Sequence, residues 1–369
     1  MKFTKLNKLI ATLVLSGTSV GAFATIGDTP YTLSQKNTST TFAASSQKLA
    51  YLAVGFSMEM AYGHESEPAN PTLIEVCNVK QDGSLTSCKD TGFKYNQYPN
   101  LRLVRPDTVA VNDKYIYISN NKNGQISRCT IGTHGALSAC KDTGPRVDST
   151  PSYTASGPNW IHIINGRAYV AQYFRNKVYK CDIDSNGEIT NCGETGSNFV
   201  EPEDVQINGS YAYVTAPNKH QITICSVNSD GSFSNCNLQA DIDLGRNYNM
   251  AFNNGIAYAP NGNVFVGGIA CHNLVRKCSI AKDGTLENCG TAVTGAGIEG
   301  GFYNLYGIHF NNNYAYALNN SYRAKVRTPA LQSTNSTMIS KCTAATDGSL
   351  TNCQYLSGNF DVVTGIAFK

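Results

Sequence analysis

Long apolar runs, charged residues and catalytic signatures are all scarce in this sequence. Charged residues make up 15% of the chain, and it contains one tryptophan and six histidines. A phosphate-binding loop and a zinc-binding HExxH helix are absent, and the one GxSxG match, at residues 17–21, follows the N-terminal apolar run rather than joining a strand to a helix. The apolar run from Leu9 to Leu15 is too short to span a bilayer, and no second run follows it. These absences argue against hydrolases of the serine-elbow type, P-loop enzymes and helical membrane proteins.

The N-terminal residues have the pattern of a signal peptide. Lys2, Lys5 and Lys8 precede the apolar run, and Ala22-Phe23-Ala24 has the small-x-small form of a cleavage site. We expect residues 1–24 to be removed on export and residues 25–47, rich in Thr and Ser, to be a flexible segment. The domain is then residues 48–369. A short, lysine-rich leader is typical of bacteria, which predicts a periplasmic or extracellular protein.

Removal of the leader also changes the charge balance. The basic count falls by three, from 29 to 26, and then equals the 26 acidic residues. Nucleic acids and anionic membranes are bound by basic surfaces, so a neutral chain does not predict either partner.

Six short segments of similar sequence run through the chain, and each begins and ends with cysteine. They are Cys77 to Cys88, Cys129 to Cys140, Cys181 to Cys192, Cys225 to Cys236, Cys278 to Cys289 and Cys342 to Cys353. A self-similar unit at such spacing indicates a repeat architecture. Zinc sites are disfavoured because the cysteines lack CxxC spacing and companion histidines. We therefore expect disulfides, which persist in compartments outside the reducing cytosol.

An Asp-Gly, Asn-Gly or His-Gly pair lies near the centre of each segment, as at Asp230-Gly231. Such pairs favour a two-residue hairpin turn of type I′, and in that register Cys225 faces Cys236 within disulfide range. Residues 228–231 also suit a three-residue turn with a glycine bulge, which would shift the two cysteines by one step. We prefer the two-residue turn because it gives all twelve cysteines a partner, each bridge contributing about 2–3 kcal/mol.

Two further strand-like runs precede each cysteine hairpin. In the fourth unit they are residues 204–209 and 211–215, which alternate in polarity. Four short antiparallel strands in a repeat of this length predict a β-propeller blade. The first unit lacks its inner strand, whereas the C-terminal residues 364–369 match one. We therefore predict an all-β, six-bladed β-propeller with four antiparallel strands per blade. The C-terminal strand closes the ring and removes the exposed edges that an open stack of blades would leave.

The segment Ala212-Tyr-Val-Thr-Ala-Pro-Asn-Lys-His-Gln-Ile-Thr-Ile resembles the repeat of the YVTN family of β-propellers, and more loosely the NHL and lactonase-type propellers. Shorter likenesses recur at Ala168-Tyr-Val-Ala and Ala315-Tyr-Ala-Leu. The resemblance implies the propeller architecture. Such families include sugar lactonases, ligand binders and surface proteins, so the fold does not decide the function. The paired-cysteine hairpin in each blade departs from the usual pattern of those repeats.

Two groups of residues are candidates for a functional site. The first surrounds the mouth of the central channel, where the inner strands begin, and consists of Asp107, Asn159, Trp160, Glu203, Asp204, Asn249, Tyr306 and Thr364. The second lies in two long loops, Gly55 to Pro71 and Asn319 to Ser340, and includes Tyr62, His64 and Arg323. Long loops on a rigid scaffold commonly carry function, although an acidic loop beside a basic one can also simply pair with it. Trp160 is either a core aromatic or a stacking platform.

These features favour a secreted or periplasmic propeller that binds a ligand or a protein partner through its long-loop face. The first alternative is a metal-assisted hydrolase of lactonase type, since in the resembled lactonases channel-mouth carboxylates and amides hold a divalent cation. Here that ring is irregular, and no cofactor is predicted. The second alternative is a surface adhesin or sugar-binding propeller, suggested by the 21 tyrosines. Cys271, the thirteenth cysteine, is expected to be a free thiol.

Overall fold

Short β-strands make up almost all of the structure, a computed structural model that describes residues 48–54, 74–93, 106–120, 124–144, 160–216, 221–240, 252–258, 262–269, 275–292, 305–319, 339–356 and 363–369. In chain order the strands are β1 (Leu49–Val54), β2 (Ile74–Val79), β3 (Leu85–Asp90), β4 (Pro106–Val111), β5 (Tyr115–Asn120), β6 (Gln125–Ile131), β7 (Leu137–Thr143), β8 (Trp160–Ile164), β9 (Arg167–Gln172), β10 (Lys177–Ile183), β11 (Ile189–Glu194), β12 (Val205–Asn208), β13 (Tyr211–Ala216), β14 (Gln221–Val227), β15 (Phe233–Ala240), β16 (Phe252–Tyr258), β17 (Val264–Ile269), β18 (Val275–Ile280), β19 (Leu286–Thr291), β20 (Leu305–Asn311), β21 (Tyr314–Asn319), β22 (Ile339–Ala344), β23 (Leu350–Tyr355) and β24 (Val363–Phe368). Two single 3-10 turns, Thr133–Gly135 and Tyr173–Arg175, are the helical elements of the described residues. The predicted leader and the flexible segment lie outside those residues.

The strands form six antiparallel sheets, each a blade of a six-bladed propeller. From the inner to the outer strand, blade 1 is β24-β1-β2-β3, and blades 2 to 6 are β4–β7, β8–β11, β12–β15, β16–β19 and β20–β23. Consecutive inner strands contact one another around the ring, and β24 touches both β4 and β20. In blade 1, Ala50 of β1 lies opposite Phe368 of β24. The predicted fold class and the closure by the C-terminal strand are both confirmed.

The propeller has two unlike faces because its strands alternate in direction. Inner strands begin on one face, which we term the mouth face, and it also carries the connections from the second to the third strand and from blade to blade. The opposite face, the turn face, carries tight turns, such as the one between β14 and β15. The longest gaps between strands, residues 55–73 and 320–338, belong to the mouth face. Both fall outside the described residues.

The turns of the cysteine hairpins differ from the predicted two-residue type. In blade 4, the Asn228 N–H donates to the Ser232 carbonyl at 2.8 Å, and the Gly231 N–H donates to the Asn228 carbonyl at 2.8 Å. Only Gly231 of this loop has a positive φ, 81°. This is the three-residue turn with a glycine bulge, so the predicted turn type was wrong.

A second irregularity restores the cysteine pairing that the turn alone would misalign. The register of β14 and β15 shifts between Ile224 and Ser226, opposite Asn235, which has a φ of 48°. The residue before the second cysteine has a positive φ in every unit: Ser87, Ala139, Asn191, Asn235, Asn288 and Asn352. Each cysteine pair therefore meets, with Cα atoms 4.0–4.1 Å apart.

All six predicted disulfides are present: Cys77–Cys88, Cys129–Cys140, Cys181–Cys192, Cys225–Cys236, Cys278–Cys289 and Cys342–Cys353. Cys271 lies outside the described residues. Six bridges in one domain indicate an oxidising compartment, extracellular or periplasmic. Within the described part of the chain, no helix has the length and apolar character needed to cross a membrane.

A repeated tyrosine holds each blade to the next. The second strand of five blades carries a fully buried tyrosine: Tyr51, Tyr117, Tyr169, Tyr213 and Tyr316. Four of these hydroxyls donate to the carbonyl of the turn glycine in the following blade, at 2.7–2.9 Å: Tyr117 to Gly187, Tyr169 to Gly231, Tyr213 to Gly284 and Tyr316 to Gly83. Blade 5 has Phe265 at this position. The Tyr51 hydroxyl is buried and has no hydrogen-bond partner among the described residues, and its facing turn is the one in which His134 also has a positive φ.

We expect Gly187→Ala to destabilise the protein by about 2–4 kcal/mol. Gly187 has a φ of 77°, and an added Cβ would lie 2.4 Å from the Tyr115 ring. The left-handed backbone and the overlap each cost about 1–2 kcal/mol. Gly209→Ala is the matched control, because Gly209 has a φ of 58° but nothing within 4 Å of the Cβ position. Urea unfolding should separate the two variants, and equal midpoints would contradict this role of the turn.

Candidate functional site

The Trp160 side chain crosses the centre of the ring near the mouth face. Trp160 is the first residue of β8 in blade 3 and is 5% exposed. Its ring stacks on the His309 imidazole of blade 6, with centroids 5.8 Å apart and an interplanar angle of 11°. Blades 3 and 6 are opposite in a ring of six, so the indole spans the axis. Gly307 lies beside both rings: an added Cβ there would lie 3.2 Å from His309 Nε2 and 3.4 Å from Trp160 Cη2.

Two histidines occupy equivalent places on the inner strands of these opposite blades. His162 lies opposite Tyr169, and His309 lies opposite Tyr316. Both Nε2 atoms are shielded from water and have no hydrogen-bond partner within the part of the chain that the structure describes. Burial lowers the pKa of each imidazole to about 4, because a charged ring is poorly solvated there. Both rings are therefore neutral at physiological pH. Sequence reasoning missed this pair, although Trp160-Ile-His and Gly307-Ile-His are a visible repeat.

The acidic residues of the channel mouth lie at the starts of the inner strands, and the main chains of Asp204 and Glu203 are both bonded to Thr215 of their own blade. Asp204 is 1% exposed; its N–H donates to Thr215 Oγ1 at 3.0 Å, and its Oδ1 accepts from Gln206 Nε2 at 3.3 Å. The Glu203 N–H donates to the Thr215 carbonyl at 3.0 Å. Asp107, in β4, is 4% exposed.

Thr364 closes the ring rather than lining an open mouth. It is fully buried, and its hydroxyl donates to the Pro106 carbonyl of blade 2 at 2.9 Å. Tyr306 lies in β20. The remaining candidates, Asn159, Asn249, Tyr62, His64 and Arg323, lie outside the described residues. Among the residues that the structure does describe, no three His, Cys, Asp or Glu side chains are grouped as metal ligands would be.

An aromatic pair with one exposed ring lies on the mouth face of blade 3. Tyr173 and Phe174 form the 3-10 turn between β9 and β10, and their rings pack edge to face with centroids 4.8 Å apart. Phe174 is 56% exposed, more than any other large hydrophobic side chain described. The Asn176 side chain accepts the Glu201 N–H at 2.7 Å, which ties this turn to the segment that carries Val200, 36% exposed. Sequence reasoning overlooked this pair because it lies in one of the shorter connections.

The comparisons with known proteins support the fold and do not extend to a family. No protein-family model matches the chain, and no curated protein matches it. Among solved structures, the chain is similar to a nidogen/laminin complex (TM-score 0.57, 12% identity, 87% of this chain and 98% of that one). It is also similar to a periplasmic gluconolactonase of Pseudomonas aeruginosa (TM-score 0.54, 8% identity, 87% and 99%). A third is a protein from Lactobacillus plantarum (TM-score 0.54, 14% identity, 88% and 99%).

Proposed function

We propose that this protein is an exported bacterial propeller that binds a protein partner through its mouth face. The exposed Phe174 ring, packed against the half-buried Tyr173, carries the proposal, because aromatic side chains are the commonest anchors of protein interfaces. Burial of such a ring by a partner contributes roughly 2–3 kcal/mol, which the protein lacks while the ring is exposed to water.

The scaffold supports this use of the mouth face. Disulfides fix the outer hairpin of every blade, and the Asn176 side chain anchors the turn that displays Phe174. A partner would therefore meet a preordered surface and lose little conformational entropy on binding. The nidogen/laminin complex contains a chain of similar fold together with a protein partner. This supports the proposal without identifying the partner here.

Photo-crosslinking tests the proposal. A benzoylphenylalanine placed at position 174 of the exported protein should crosslink one defined partner, whereas the same group at His134, an exposed residue of the turn face, should not. Phe174→Ala should then weaken binding of the purified partner by about 2 kcal/mol, or roughly thirtyfold. His134→Ala, which removes an exposed side chain of the turn face, is the matched control. Equal crosslinking at both positions, or unchanged affinity of Phe174→Ala, would refute the proposal.

A lactonase-type hydrolase is the second candidate, favoured by the buried carboxylates Asp107 and Asp204 at the inner-strand starts. The gluconolactonase of similar fold raises the same possibility. In this function the carboxylates would hold a divalent cation that polarises the lactone carbonyl. The combined variant Asp107→Asn, Glu203→Gln, Asp204→Asn discriminates between the two. Lactone hydrolysis that this variant abolishes, with partner binding independent of Phe174, would replace the binding proposal by the enzymatic one.

A further inference from the structure

A solvent-open cavity of about 380 Å³ lies between blades 4 and 5, at the rim and towards the turn face. Strands β14 and β15 form one wall, and the turn between β18 and β19 forms the other. Its apolar lining comes from Tyr211, Ile224 and Leu238. Its polar lining consists of Ser226, Asn235, Asn237, Gln239, Asp283 and Thr285. The cavity lies on the opposite face from Phe174, and its volume is in the range of small-molecule sites.

The cavity borders a position at which blade 4 departs from the pattern of most blades. The residue before the first cysteine is basic in four blades: Arg128, Lys180, Lys277 and Lys341. Three of these side chains reach the turn of the next blade: Arg128 Nη1 donates to the Asn186 carbonyl (2.6 Å), Lys277 Nζ to that of Asp347 (2.6 Å) and Lys341 Nζ to that of Asp82 (2.7 Å). Blades 1 and 4 have Val76 and Ile224 at this position. Val76 lies against the turn of blade 2, since a Cβ added to Gly135 there would lie 2.6 Å from Val76 Cγ2, whereas the cavity separates Ile224 from its facing turn.

A longer side chain bridges this junction and keeps it open. In blades 2 and 3, a threonine hydroxyl accepts the N–H of the next outer strand: Thr143 from Ile189, and Thr195 from Phe233. In blade 4 the equivalent acceptor is Gln239, whose Oε1 accepts the Leu286 N–H at 2.9 Å and whose Nε2 donates to the Leu286 carbonyl at 2.6 Å. The gap is thus supported by a two-point contact at its edge.

The polar lining retains unused hydrogen-bonding capacity. Asp283 accepts the N–H and the hydroxyl of Thr285 through Oδ1, at 3.0 and 2.6 Å, which leaves Oδ2 for a ligand. Asn237 donates its Nδ2 to the Asn235 carbonyl at 3.1 Å, which leaves Oδ1. Ser226 adds a hydroxyl and Asn235 an amide. Carboxylate, amide and hydroxyl oxygens therefore converge beside an apolar wall.

We propose that this cavity binds a hexose unit. Sugar hydroxyls donate to carboxylate and amide oxygens, and the C–H face of a pyranose ring packs on apolar side chains such as Leu238 and the Tyr211 ring. No basic residue is in the lining, and one acidic residue is, which disfavours phosphorylated or carboxylated ligands. A purely apolar ligand would leave the amides and the carboxylate without partners.

Filling the cavity with the side chain that other blades carry is the sharpest test. Methyl hexosides, titrated by calorimetry into the mature protein, are expected to bind with a Kd on the order of 1 mM, and an array of immobilised glycans tests whether a chain-terminal hexose binds as well. We expect Ile224→Lys to lower affinity at least tenfold while the protein stays folded, because the lysine can reach the Asp283 carbonyl as Lys277 reaches that of Asp347. Ile224→Val, which leaves the cavity open, should bind as the wild type does.

Each outcome decides the question. Binding of free hexosides identifies a monosaccharide site, and binding of array glycans alone identifies a glycan terminus; both support the proposal if Ile224→Lys abolishes them. Absence of binding to either probe, or equal affinity of Ile224→Lys and wild type, overturns it. Should Ile224→Lys misfold, the double variant Asn237→Ala, Asp283→Asn takes its place and should also lose binding at least tenfold. The crosslinking at position 174 is unaffected by any of these variants, so this proposal and the partner proposal fail independently.

Discussion

Deleting residues 360–369 is expected to abolish the cooperative unfolding of the propeller. The deletion removes β24, the inner strand of blade 1, and with it the buried side chains of Val363 and Ile366. It also exposes the edge of β1 and breaks the hydrogen bond from the Thr364 hydroxyl to the Pro106 carbonyl of blade 2. Losing two buried aliphatic side chains costs about 4–6 kcal/mol before any backbone hydrogen bond is counted. That loss is comparable to the whole stability of a typical domain, about 5–15 kcal/mol.

Calorimetry and light scattering would measure this effect. The truncated protein should show a broad, weakened transition and should aggregate, because an unpaired strand edge is a template for pairing with other chains. Removing residues 25–34 instead, a deletion of equal length in the predicted flexible segment, should leave the transition unchanged. A synthetic peptide of residues 360–369 should restore cooperative unfolding by adding the missing strand. A truncated protein that melts like the full chain would show that closure by β24 is not what holds the ring together.

The number of blades and the closure of the ring could be predicted from the sequence because both follow from repeated sequence segments. The cysteine segments and the matching C-terminal strand depend on local pattern and hydrophobic alternation, which residue order expresses directly. The disulfide pairs were predicted correctly for the same reason, but the hairpin turn from which they were argued was of the wrong type. The turn adds a residue at Gly231, and a bulge at Asn235 compensates for it. Asparagine precedes the second cysteine in four of the six units, a signal for a left-handed residue.

The candidate sites were less predictable because they depend on contacts between blades. Nothing local to Trp160 shows that its ring meets His309, since that contact requires blade 3 to stand opposite blade 6. The cavity at Ile224 likewise depends on how blade 4 packs against the turn of blade 5, a contact between residues far apart in sequence. Phe174 was missed because loop length was used as the guide to function, whereas exposure of an aromatic ring depends on how a short turn is held.

Acid is expected to destabilise the protein well before its carboxylates are protonated. His162 and His309 are neutral and partly buried near the axis, and burial lowers the pKa of each to about 4 from an ordinary value of 6.5. Below pH 6.5 these two histidines therefore bind protons in the unfolded chain but stay unprotonated in the folded protein. Stability is complete above pH 6.5 and falls as the pH drops towards 4. Over that interval the linkage amounts to at most about 3 kcal/mol per histidine.

The turn aspartates act in a different pH window. In Asp82, Asp230, Asp283 and Asp347, hydrogen bonds from the serine or threonine two residues later hold the pKa below its usual 3.8. Their contribution is present above that pH and is lost as the pH falls further. They therefore add to the destabilisation only below about pH 4.

Urea unfolding between pH 7.5 and 4.5 measures the contribution of the two histidines to the pH dependence of the free energy of unfolding. The midpoint should fall steadily over this range in the wild type, and the double variant His162→Gln, His309→Gln should flatten the dependence even if it starts from a lower stability. His134→Gln removes an exposed imidazole of the turn face and is the matched control. The Trp160 ring stacks on His309. Protonation of that imidazole at low pH should therefore also change the fluorescence of the single tryptophan. A wild-type midpoint that does not move between pH 7.5 and 4.5 would mean that water reaches both imidazoles, and that the axis is open rather than filled by the Trp160–His309 stack.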